Sequence, residues 1–278
     1  MSDTFDGVLS QEYSNFEFVV VNDGSTDPAT VSKLHSYSDS RIVVVHQENK
    51  GFTRAIKRAI ACATGEFIAI HGSGDISHPT RLTRQVAKLV DNQHAAAVGC
   101  GTVQVAANAG FRKRYFAPEA KCTAASLRDR MPFVHGTTMM RASSYNRAGG
   151  YDERFHYCAD WDLFFRLLEV GEILAVPEGL YEQRMFSDGF SFSPDHKFKQ
   201  LWFRDLATSR SNKREELLDN AAEYTDSIDK NDPKYAKYTA ISSIKAIAKG
   251  DFNNGIQWLR LFRCQCCAAI RKYLLGAS

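Results

Sequence analysis

Three polar segments of the sequence carry residue types that could hold a ligand. Residues 23–27 place a carboxylate beside a glycine and two hydroxyls, residues 47–51 end in a lysine and a glycine, and residues 72–75 combine two glycines with an aspartate. Each segment directly follows a short apolar run. Polar groups at the ends of apolar strands are typical of ligand sites, so the three segments predict one site built from three loops.

The elements that would position these loops alternate between strands and helices. Strands are predicted at residues 18–22, 42–46 and 66–71, where β-branched and apolar residues cluster. A helix is expected from Pro28, and a second helix carries an apolar face at helical spacing, formed by Ala55, Ile56, Ala59, Ile60 and Ala63. Three strands with two crossover helices predict a parallel sheet whose buried strands end at the three loops.

The pattern changes after residue 97. The elements predicted beyond it are a strand at 98–105, a helix at 123–130, a strand at 132–140, a short helix at 145–150 and a helix at 160–168, and a helix from about Pro79 is predicted before it. Beyond residue 194 the chain is predicted to be helical, with more charge and no glycine-rich loop.

Four motifs in order resemble those of the family 2 glycosyltransferases, inverting enzymes of the GT-A fold. They are residues 10–27, residues 49–51, residues 65–71, and residues 149–155 followed by 159–162. The resemblance implies an α/β fold with a mainly parallel sheet flanked by helices. It also implies a GT-A domain over residues 1–194. Residues 195–278 lie outside the resemblance and are predicted to form a C-terminal helical region.

The function implied by this resemblance is sugar transfer with inversion from a nucleotide-diphosphate sugar, with UDP-sugars favoured, to a glycan or lipid-linked acceptor. Synthesis of a cell-surface polysaccharide is the expected setting. The alternative is a catalytically degenerate member that binds a nucleotide-sugar or a protein partner. A dehydrogenase is disfavoured because no G-x-G-x-x-G follows a strand.

The resemblance places donor-binding residues in the three loops. Asp23 corresponds to an aspartate that binds the donor base, although a turn aspartate that stabilises its own loop is the alternative. Lys50 and Arg54 stand at a helix start that suits a diphosphate, or are simply solvated there. The remaining donor-binding predictions are Gly24, Ser25, Gly51 and Asp75.

The acceptor side is predicted from residues 135–162. Asp160 is the candidate catalytic base, with a helix N-cap as its alternative role. Asp162 is the rival carboxylate, two residues further along the helix. Trp161 could stack on a sugar or fill the core, and His135 could line the acceptor cleft or be structural.

Two departures from the family pattern concern the metal motif and the start of the chain. Only Asp75 remains of the Asp-x-Asp-Asp run that holds Mg²⁺ or Mn²⁺, so a divalent cation would be weakly held, or Lys50, Arg54, Arg81 or His71 would neutralise the diphosphate instead. Met1 falls within the expected first helix. We therefore expect a truncated domain that lacks the family's first strand.

The composition of the chain bears on its partners and on its cellular compartment. A net charge of +3 on 278 residues, without a dense basic stripe, disfavours nucleic acid as a partner. Seven cysteines, an odd number, favour a reducing compartment. The clustered Cys264, Cys266 and Cys267 are interpreted as packing thiols rather than a metal site. With neither a signal-peptide pattern nor an apolar run of about 20 residues, a cytoplasmic protein is predicted.

The last predicted helix combines an apolar stripe with basic residues. The stripe is Ile256, Leu259, Phe262, Cys266, Ile270 and Tyr273, and the basic residues around it are Arg260, Arg263, Arg271 and Lys272. Such a helix can pack on its own domain or lie on an anionic membrane. Peripheral contact with the inner face of the membrane is therefore an open alternative.

Overall fold

The structure is a computed structural model that describes residues 2–106, 112–115, 121–185, 194–209, 214–221, 239–240, 256–257, 259–263 and 265–266. Its contacts divide the chain into two compact units. The first comprises residues 1–105 and 112–184, and the second contains the C-terminal helices. The domain boundary predicted at residue 194 stays a prediction.

The first unit opens with alternating helices and strands, close to the predicted bounds. They are α1 (Ser2–Leu9), β1 (Phe18–Asp23), α2 (Pro28–His35), β2 (Ile42–Gln47), α3 (Phe52–Cys62), β3 (Phe67–Ala69), β4 (Ile76–Ser77) and α4 (Arg81–Val90). The start of α2 is fixed by Asp27, whose carboxylate caps the N–H groups of Ala29 and Thr30 while Pro28 occupies the first turn.

The rest of the first unit adds longer strands and the helix that carries the candidate base. These elements are β5 (Ala95–Ala106), β6 (Arg112–Tyr115), α5 (Ala124–Asp129), β7 (Met139–Arg141), α6 (Ala142–Arg147), α7 (Ala159–Val170) and β8 (Glu172–Met185). In the second unit the described helices are α8 (Pro194–Thr208) and α9 (Arg214–Asp219).

The strands form two sheets instead of the single parallel sheet that was predicted for β1, β2 and β3. Strands β1 and β2 pair in parallel, from Phe18 opposite Ile42 to Asp23 opposite Gln47. The six-stranded sheet has the order β3-β7-β5-β8-β4, with β6 paired to β5. In it β3 pairs with β7 in antiparallel register. Within the described residues β3 forms no pair with β1, so the prediction of one sheet was wrong.

The predicted strand at residues 132–140 was also wrong over most of its length. A 3₁₀ turn occupies His135–Thr137, and only Met139 begins a strand. The turn persists because the carbonyl of Thr137 accepts a hydrogen bond from the side chain of Gln85 at 2.7 Å. The amide of Gln85 thus takes the place of a neighbouring strand. It satisfies the buried carbonyl of Thr137 without strand pairing.

The hydrophobic core lies on the six-stranded sheet and α4. Its buried cluster consists of Leu89, Ala95, Val98, Cys100, Met139, Val176, Leu180 and Tyr181. In β1, by contrast, only Asn22 is buried, and in α3 only Thr53 is buried. Residues 18–22 do form a strand, but the prediction that this strand is buried was wrong, because Val19, Val20 and Val21 are only half-buried.

Among the described residues, no helix has both the length and the apolar character needed to cross a membrane. Of the predicted C-terminal stripe, Ile256 and Leu259 are exposed, at 47% and 45% of their surface. Cys264, Cys267, Ile270, Arg271, Lys272 and Tyr273 lie outside the described residues. The interpretation of the cysteine cluster and of the full stripe therefore stays a prediction.

Candidate active site

Asp23 lies at the end of β1 and joins two of the polar loops. Its Oδ1 accepts hydrogen bonds from the amide of Gln47 and the backbone N–H of Lys50, both at 2.8 Å, and its Oδ2 accepts one from the N–H of Gly51 at 2.9 Å. Burial opposes ionisation, but these hydrogen bonds prevail and hold the pKa of Asp23 below its ordinary value. Asp23 therefore does stabilise its loops, and its contact with a donor base stays a prediction.

The turn after Asp23 requires a glycine. Gly24 has a φ of +75°, and a Cβ at this position would lie 2.6 Å from the backbone nitrogen of Asn49. The neighbouring Ser25 donates its N–H to the Oδ1 of buried Asn22 at 2.9 Å and leaves its side chain exposed. The loop therefore presents a hydroxyl to solvent on a rigid turn.

The N-terminus of α3 brings the second loop against the segment that follows α6. Gly51 caps α3 with a φ of +85°. Thr53 donates its hydroxyl to the carbonyl of Phe155 at 2.8 Å in a buried contact. Arg54 pairs with Glu153 at 3.1 Å, and Lys57 pairs with the same carboxylate at 2.6 Å. The start of α3 is thus held beside residues 151–155.

Lys50 and Arg54 therefore differ as candidates to hold a diphosphate. Lys50 is exposed and, in the described part of the chain, forms no ion pair. The guanidinium of Arg54 is shared with Glu153 but about half of its side chain stays exposed. An exposed ion pair of this kind is weak, so a bound phosphate could compete for Arg54.

His135 and Tyr151 form the centre of the predicted acceptor side. The Nε2 of His135 lies 2.6 Å from the hydroxyl of Tyr151, and the ring of exposed Phe52 approaches His135 with ring centroids 6.0 Å apart. Burial lowers the pKa of His135, an effect that the charge of Asp160 opposes. Burial and the same charge raise the pKa of Tyr151 well above its ordinary value. Both groups are therefore neutral near pH 7.

Asp160 is the second residue of α7 and is not the N-cap, which is Cys158 in a left-handed conformation with a φ of +56°. The capping alternative for Asp160 is therefore not realised. Its half-buried carboxylate accepts, within the described residues, one hydrogen bond, from the N–H of Trp161 at 2.9 Å. The charge of Asp160 acts on His135 and Tyr151, whose pKa values it shifts upward.

Asp162 is buried and forms an ion pair with Arg166. Its side chain is 1% exposed, and its Oδ2 accepts hydrogen bonds from the Nε of Arg166 at 3.0 Å and from an Nη at 2.5 Å. The same guanidinium donates to the carbonyls of Ala148 and Gly150. Asp162 therefore positions the arginine that holds the glycine turn before Tyr151, which makes it a poor candidate for the base.

Trp161 points toward α5. Its indole Nε1 donates to the carbonyl of Leu127 at 2.8 Å, and the side chain is half-buried. This contact favours a packing role over sugar stacking, because the polar edge of the ring already has a partner within the protein.

Asp75 follows β3 and is buried, with both carboxylate oxygens occupied. The hydroxyl of Tyr181 donates to its Oδ2 at 2.7 Å, and the N–H of Arg184 donates to its Oδ1 at 2.9 Å. Burial raises the pKa of Asp75 despite these hydrogen bonds and the nearby guanidinium groups. A raised pKa and occupied oxygens disfavour a metal ligand.

The donor set around Asp75 does not fit a resident Mg²⁺ or Mn²⁺. No group of three or more histidine, cysteine, aspartate or glutamate side chains that could hold a metal ion occurs within the described ranges. Hard divalent cations are held by several oxygen ligands, and Asp75 offers one carboxylate that is already hydrogen-bonded. The weak metal role predicted for Asp75 therefore finds no support in this geometry.

His71 and Arg81 do not supply the positive charge that was predicted as an alternative to the metal. Burial and the charge of Arg81 lower the pKa of His71 to about 3, so the imidazole is neutral at pH 7. Arg81 is 1% exposed and donates to Gln85, Ser77 and the carbonyl of Ile70. Its guanidinium is therefore structural, which leaves Lys50 and Arg54 as the accessible cations among the four.

The site residues form one connected set. The loop of Asp23 contacts the start of α3, α3 contacts residues 151–155, and Phe52 reaches His135. A Cβ at Gly136 would lie 2.4 Å from the Tyr181 hydroxyl, which places the Asp75 pair directly behind the His135 turn. Donor-side and acceptor-side predictions thus converge on one face of the first unit.

Comparison with known proteins decides the family. A model of glycosyl transferase family 2 matches residues 1–149, more than half of the 278 residues. The chain belongs to glycosyl transferase family 2. The predicted family is thereby confirmed, and with it the class of enzyme, a transferase.

Curated relatives agree with membership of family 2. Over 196 residues the chain is 33% identical to EpsE of Bacillus subtilis, a protein named as a glycosyltransferase. The matched region covers 68% of this chain and 70% of that protein. It is 29% identical over 194 residues to the uncharacterized glycosyltransferase RT0329 of Rickettsia typhi, with 66% of this chain and 59% of that protein covered. The chain therefore spans little more than half of the second relative.

Solved structures confirm the α/β GT-A fold. A mannosyltransferase from Pyrobaculum calidifontis, in complex with GDP-Man and Mn²⁺, superposes with a TM-score of 0.57 at 16% identity, over 99% of this chain and 84% of that chain. S. aureus TarS 1-349 in complex with UDP-GlcNAc gives a TM-score of 0.57 at 14% identity, over 94% and 87%. At these identities the likeness shows the fold alone.

Within this family 2 site, sequence reasoning missed Tyr151, Glu153, Tyr181 and Arg184. Tyr151 and Glu153 lie inside the motif at residues 149–155, so the motif could have indicated them. Tyr181 and Arg184 belong to β8, more than 100 residues from Asp75 along the chain. Only the pairing of β4 with β8 brings them to Asp75, and the local sequence carries no signal of that pairing.

Proposed function

We propose that this chain transfers a sugar, with inversion, from a nucleotide-diphosphate sugar to an acceptor hydroxyl, and that Asp160 is the base. The observation that carries the proposal is the carboxylate of Asp160, which is half-buried beside His135 and Tyr151 and retains an oxygen without a hydrogen bond from the described residues. A base needs such an uncommitted oxygen. Asp162, its rival, is held by Arg166.

The proposed reaction involves the acceptor hydroxyl, the carboxylate of Asp160 and the donor sugar with its diphosphate. The acceptor O–H gives its proton to an oxygen of Asp160, and the acceptor oxygen forms a bond to the anomeric carbon. The bond between that carbon and the phosphate oxygen breaks, and the nucleoside diphosphate leaves with the electron pair. Attack and departure occur on opposite faces of the sugar, which inverts the anomeric centre.

Charge on the leaving diphosphate would be stabilised by Lys50, Arg54 and the N-terminal backbone of α3. Lys50 is exposed at the helix start, and Arg54 shares Glu153 in a weak exposed pair. Unpaired N–H groups at a helix N-terminus favour an anion. No step is assigned to a metal ion, because the carboxylate of Asp75 is already occupied.

The nucleotide would lie at the carboxyl ends of β1 and β2, over Asp23, Gly24 and Ser25. The rigid turn and the exposed side chain of Ser25 support this position. A UDP-sugar is the favoured donor because a structural neighbour, TarS, is described in complex with UDP-GlcNAc. A glycan or a lipid-linked saccharide in cell-surface polysaccharide synthesis is the proposed acceptor.

The test separates chemistry from donor binding. Donor binding is measured by calorimetry with UDP-GlcNAc, UDP-glucose and GDP-mannose, and turnover by nucleoside diphosphate release with a panel of oligosaccharide and lipid-linked acceptors. Asp160→Asn should lower kcat by on the order of 10²–10⁴-fold with an unchanged donor Kd. The control Asp91→Asn, at an exposed helix end, should keep wild-type kcat. A wild-type kcat in Asp160→Asn would refute the assignment.

A catalytically degenerate, nucleotide-sugar-binding protein is the second candidate. The observation that favours it is Asp75, the one remaining motif aspartate, whose oxygens are engaged by Tyr181 and Arg184. The same measurements discriminate the two. Donor binding without nucleoside diphosphate release for any acceptor, in the presence or absence of Mn²⁺, would favour the second candidate over the first.

The proposal also places the protein in the cytoplasm, in peripheral contact with the inner face of the membrane. Exposed Ile256 and Leu259 support this contact, together with Arg260 and Arg263 nearby. Cosedimentation with vesicles containing 30% anionic lipid should exceed that with zwitterionic vesicles. Replacing Ile256 and Leu259 by serine should abolish the difference. Equal cosedimentation of both proteins with both vesicles would contradict membrane contact.

A further inference from the structure

Phe52, the first residue of α3, has an apolar ring that is largely exposed to solvent. Its exposed fraction is 64%. It is the one aromatic residue among the large hydrophobic side chains that are exposed in the described part of the chain; the others are Val43, Val90, Ile256 and Leu259. Single exposed apolar side chains are normal on protein surfaces, so this ring is informative only through what surrounds it.

The start of α3 is anchored by the residue that follows this ring rather than by the ring itself. Thr53 donates its hydroxyl to the carbonyl of Phe155 at 2.8 Å in a buried contact. On the other side of the ring, a Cβ at Gly51 would meet no atom within 4 Å. The surface beside Phe52 is therefore open, and a ligand can reach the ring there.

The ring of Phe52 and the imidazole of His135 form a corner. Their centroids are 6.0 Å apart, and their planes are inclined at 74° to each other. We call this pair of rings the Phe52–His135 corner. The charge of Asp160, the proposed base, acts on His135, so its carboxylate lies within electrostatic reach of the corner. An exposed apolar surface, an imidazole and a carboxylate thus belong to one part of the site.

The hydrogen bond to Tyr151 decides which nitrogen of His135 carries the proton. Tyr151 is 1% exposed, and the one partner of its hydroxyl among the described residues is the Nε2 of His135, at 2.6 Å. The hydroxyl is protonated near pH 7 because its pKa is raised, and a buried O–H without an acceptor costs on the order of 1–3 kcal/mol. The hydroxyl therefore donates to Nε2. The neutral imidazole must then carry its own proton on Nδ1.

The Nδ1–H of His135 is a donor without a partner in the described part of the chain. Nδ1 forms no hydrogen bond there, and it is not one of the side-chain atoms that are buried without a partner, so solvent reaches it. The imidazole is neutral and lies within reach of the charge of Asp160. A neutral donor near a negative charge favours an uncharged group, such as a sugar hydroxyl, over a phosphate or a carboxylate.

We propose that the Phe52–His135 corner binds the acceptor sugar as an uncharged pyranose. The C–H face of the pyranose lies on the phenyl ring, and one hydroxyl accepts a hydrogen bond from the Nδ1–H of His135. A neighbouring hydroxyl meets the carboxylate of Asp160. An apolar surface with a few placed polar groups is the usual composition of a small-molecule site.

This inference rests on the proposed function, because the role of Asp160 as base identifies the side on which the acceptor binds. Phe52 and His135 then determine which acceptor is bound, and Tyr151 is a positioning residue that fixes the tautomer of His135. Neither ring takes part in proton transfer. Their substitution should therefore change the affinity for the acceptor and leave the affinity for the donor unchanged.

Binding of the sugar is tested without turnover. The probes are the methyl glycosides of glucose, galactose, mannose, N-acetylglucosamine and N-acetylgalactosamine, each titrated into the intact chain with and without UDP. Saturation-transfer NMR reports which C–H protons of the sugar contact the protein. At least one glycoside should bind saturably through its ring protons. Methyl glucuronide, a charged pyranose, should bind on the order of ten-fold more weakly than that glycoside.

Variants of Phe52 test the apolar surface. Phe52→Ala should weaken binding of that glycoside on the order of ten-fold, because the apolar contact is lost, and Phe52→Tyr should retain it. The matched control is Val90→Ala, which removes another exposed apolar side chain at the end of α4 and should bind the glycoside like wild type. The donor Kd, measured by calorimetry, should be the same in all three variants.

The role of Tyr151 has a readout of its own in the tautomer of His135. Correlation spectra of the protein labelled with ¹⁵N-histidine should show the proton of His135 on Nδ1 in the wild type and a mixture of tautomers in Tyr151→Phe. Glycoside binding should fall about three- to ten-fold in this variant, the loss expected for one hydrogen bond. A proton on the Nε2 of His135 in the wild type would contradict its role as the donor.

Three further results would overturn the proposal. These are no saturable binding of any of the five glycosides to folded protein, unchanged binding in Phe52→Ala, and a loss of donor binding instead of glycoside binding in Phe52→Ala. The last result would assign the ring to the donor sugar. Failure of the proposed function is distinguishable from these results, because a wild-type kcat in Asp160→Asn would refute the base while glycoside binding at Phe52 is measured without turnover.

Discussion

At the scale of single residues, the two carboxylates of α7 differ in their contacts: Asp160, the proposed base, forms no ion pair among the described residues, whereas Asp162 pairs with Arg166. Asp162 is 1% exposed and paired with Arg166, so Asp162→Asn leaves a partly buried guanidinium without its counter-charge. We expect the free energy of unfolding to fall by about 3 kcal/mol, the lower end for a broken buried pair, because the carbonyls of Ala148 and Gly150 still bind Arg166. Urea unfolding measures this loss.

The matched variant for Asp162→Asn is Asp160→Asn, two positions away on the same helix. Asp160 forms no ion pair among the described residues, so its substitution should change the unfolding free energy by no more than about 0.5 kcal/mol. The two variants should thus show opposite profiles. A stable Asp162→Asn protein without activity would exchange the roles that we assign to the two aspartates.

His71 makes stability depend on pH. Its pKa is about 3 in the folded protein, because it is buried beside Arg81, and about 6.5 in the unfolded chain. As the pH falls below 6.5, His71 binds a proton in the unfolded state but not in the folded state. The free energy of unfolding that the protein has above pH 6.5 therefore decreases. His71→Gln should reduce the slope between pH 6 and pH 5 by on the order of 1 kcal/mol per pH unit.

This pH dependence is measured by urea unfolding at pH 7.5, 6 and 5. The control is His94→Gln, which replaces an exposed histidine and should keep the wild-type slope. Equal slopes for wild type and His71→Gln would show that His71 accepts a proton in the folded state.

The sequence predicted which loops lie together better than it predicted the contacts of their side chains. Asp23, Lys50 and Gly51 were predicted to lie in loops that follow recognisable strands, and the structure shows that the carboxylate of Asp23 binds the backbone of the other two. The engagement of Asp75 by Tyr181 was not predictable. It depends on a long-range strand pair, and hydrogen bonding between distant strands leaves no local periodicity.

At the scale of elements, the turns after β1 and before α3 both use glycine with positive φ, but for different reasons. A Cβ at Gly24 would meet the backbone nitrogen of Asn49 at 2.6 Å, whereas a Cβ at Gly51 would have no atom within 4 Å. Gly51→Ala should therefore cost about 1 kcal/mol for its conformation alone. Gly24→Ala should cost more, on the order of 2–3 kcal/mol, because backbone must also move.

The pair of glycine variants is compared by urea unfolding and donor titration. Gly24→Ala should weaken donor binding as well, since Asn49 precedes the loop that Asp23 holds. Equal losses of stability in the two variants would mean that the loop at Asn49 yields without cost. In that case the 2.6 Å approach would not define the turn.

The same scale shows where prediction of the fold stopped. Helices α2, α3 and α7 were predicted to within a few residues, because their caps and apolar stripes are local signals. That β1 and β3 belong to different sheets was not predicted, because the neighbour of a parallel strand is specified by tertiary packing rather than by the strand's own residues. Apolar periodicity in α3 predicts a covering surface, yet the residues of that stripe stay half-exposed in the structure.

At the scale of the whole molecule, stability should be unevenly distributed over the first unit. The buried cluster lies on the six-stranded sheet and includes Val98 and Met139, which pair across β5 and β7. The two-stranded β1–β2 sheet stands outside that cluster and exposes Val43 by 40%. Few buried apolar contacts favour local opening. We therefore expect β1 and β2 to open without unfolding of the larger sheet.

Native-state hydrogen exchange tests this distribution. Amides that join β5 to β7 should exchange only through global unfolding, and those that join β1 to β2 should exchange on the order of 100-fold faster, which corresponds to about 2.7 kcal/mol. Equal protection of the two sets of amides would mean that β1 and β2 already share the stability of the core.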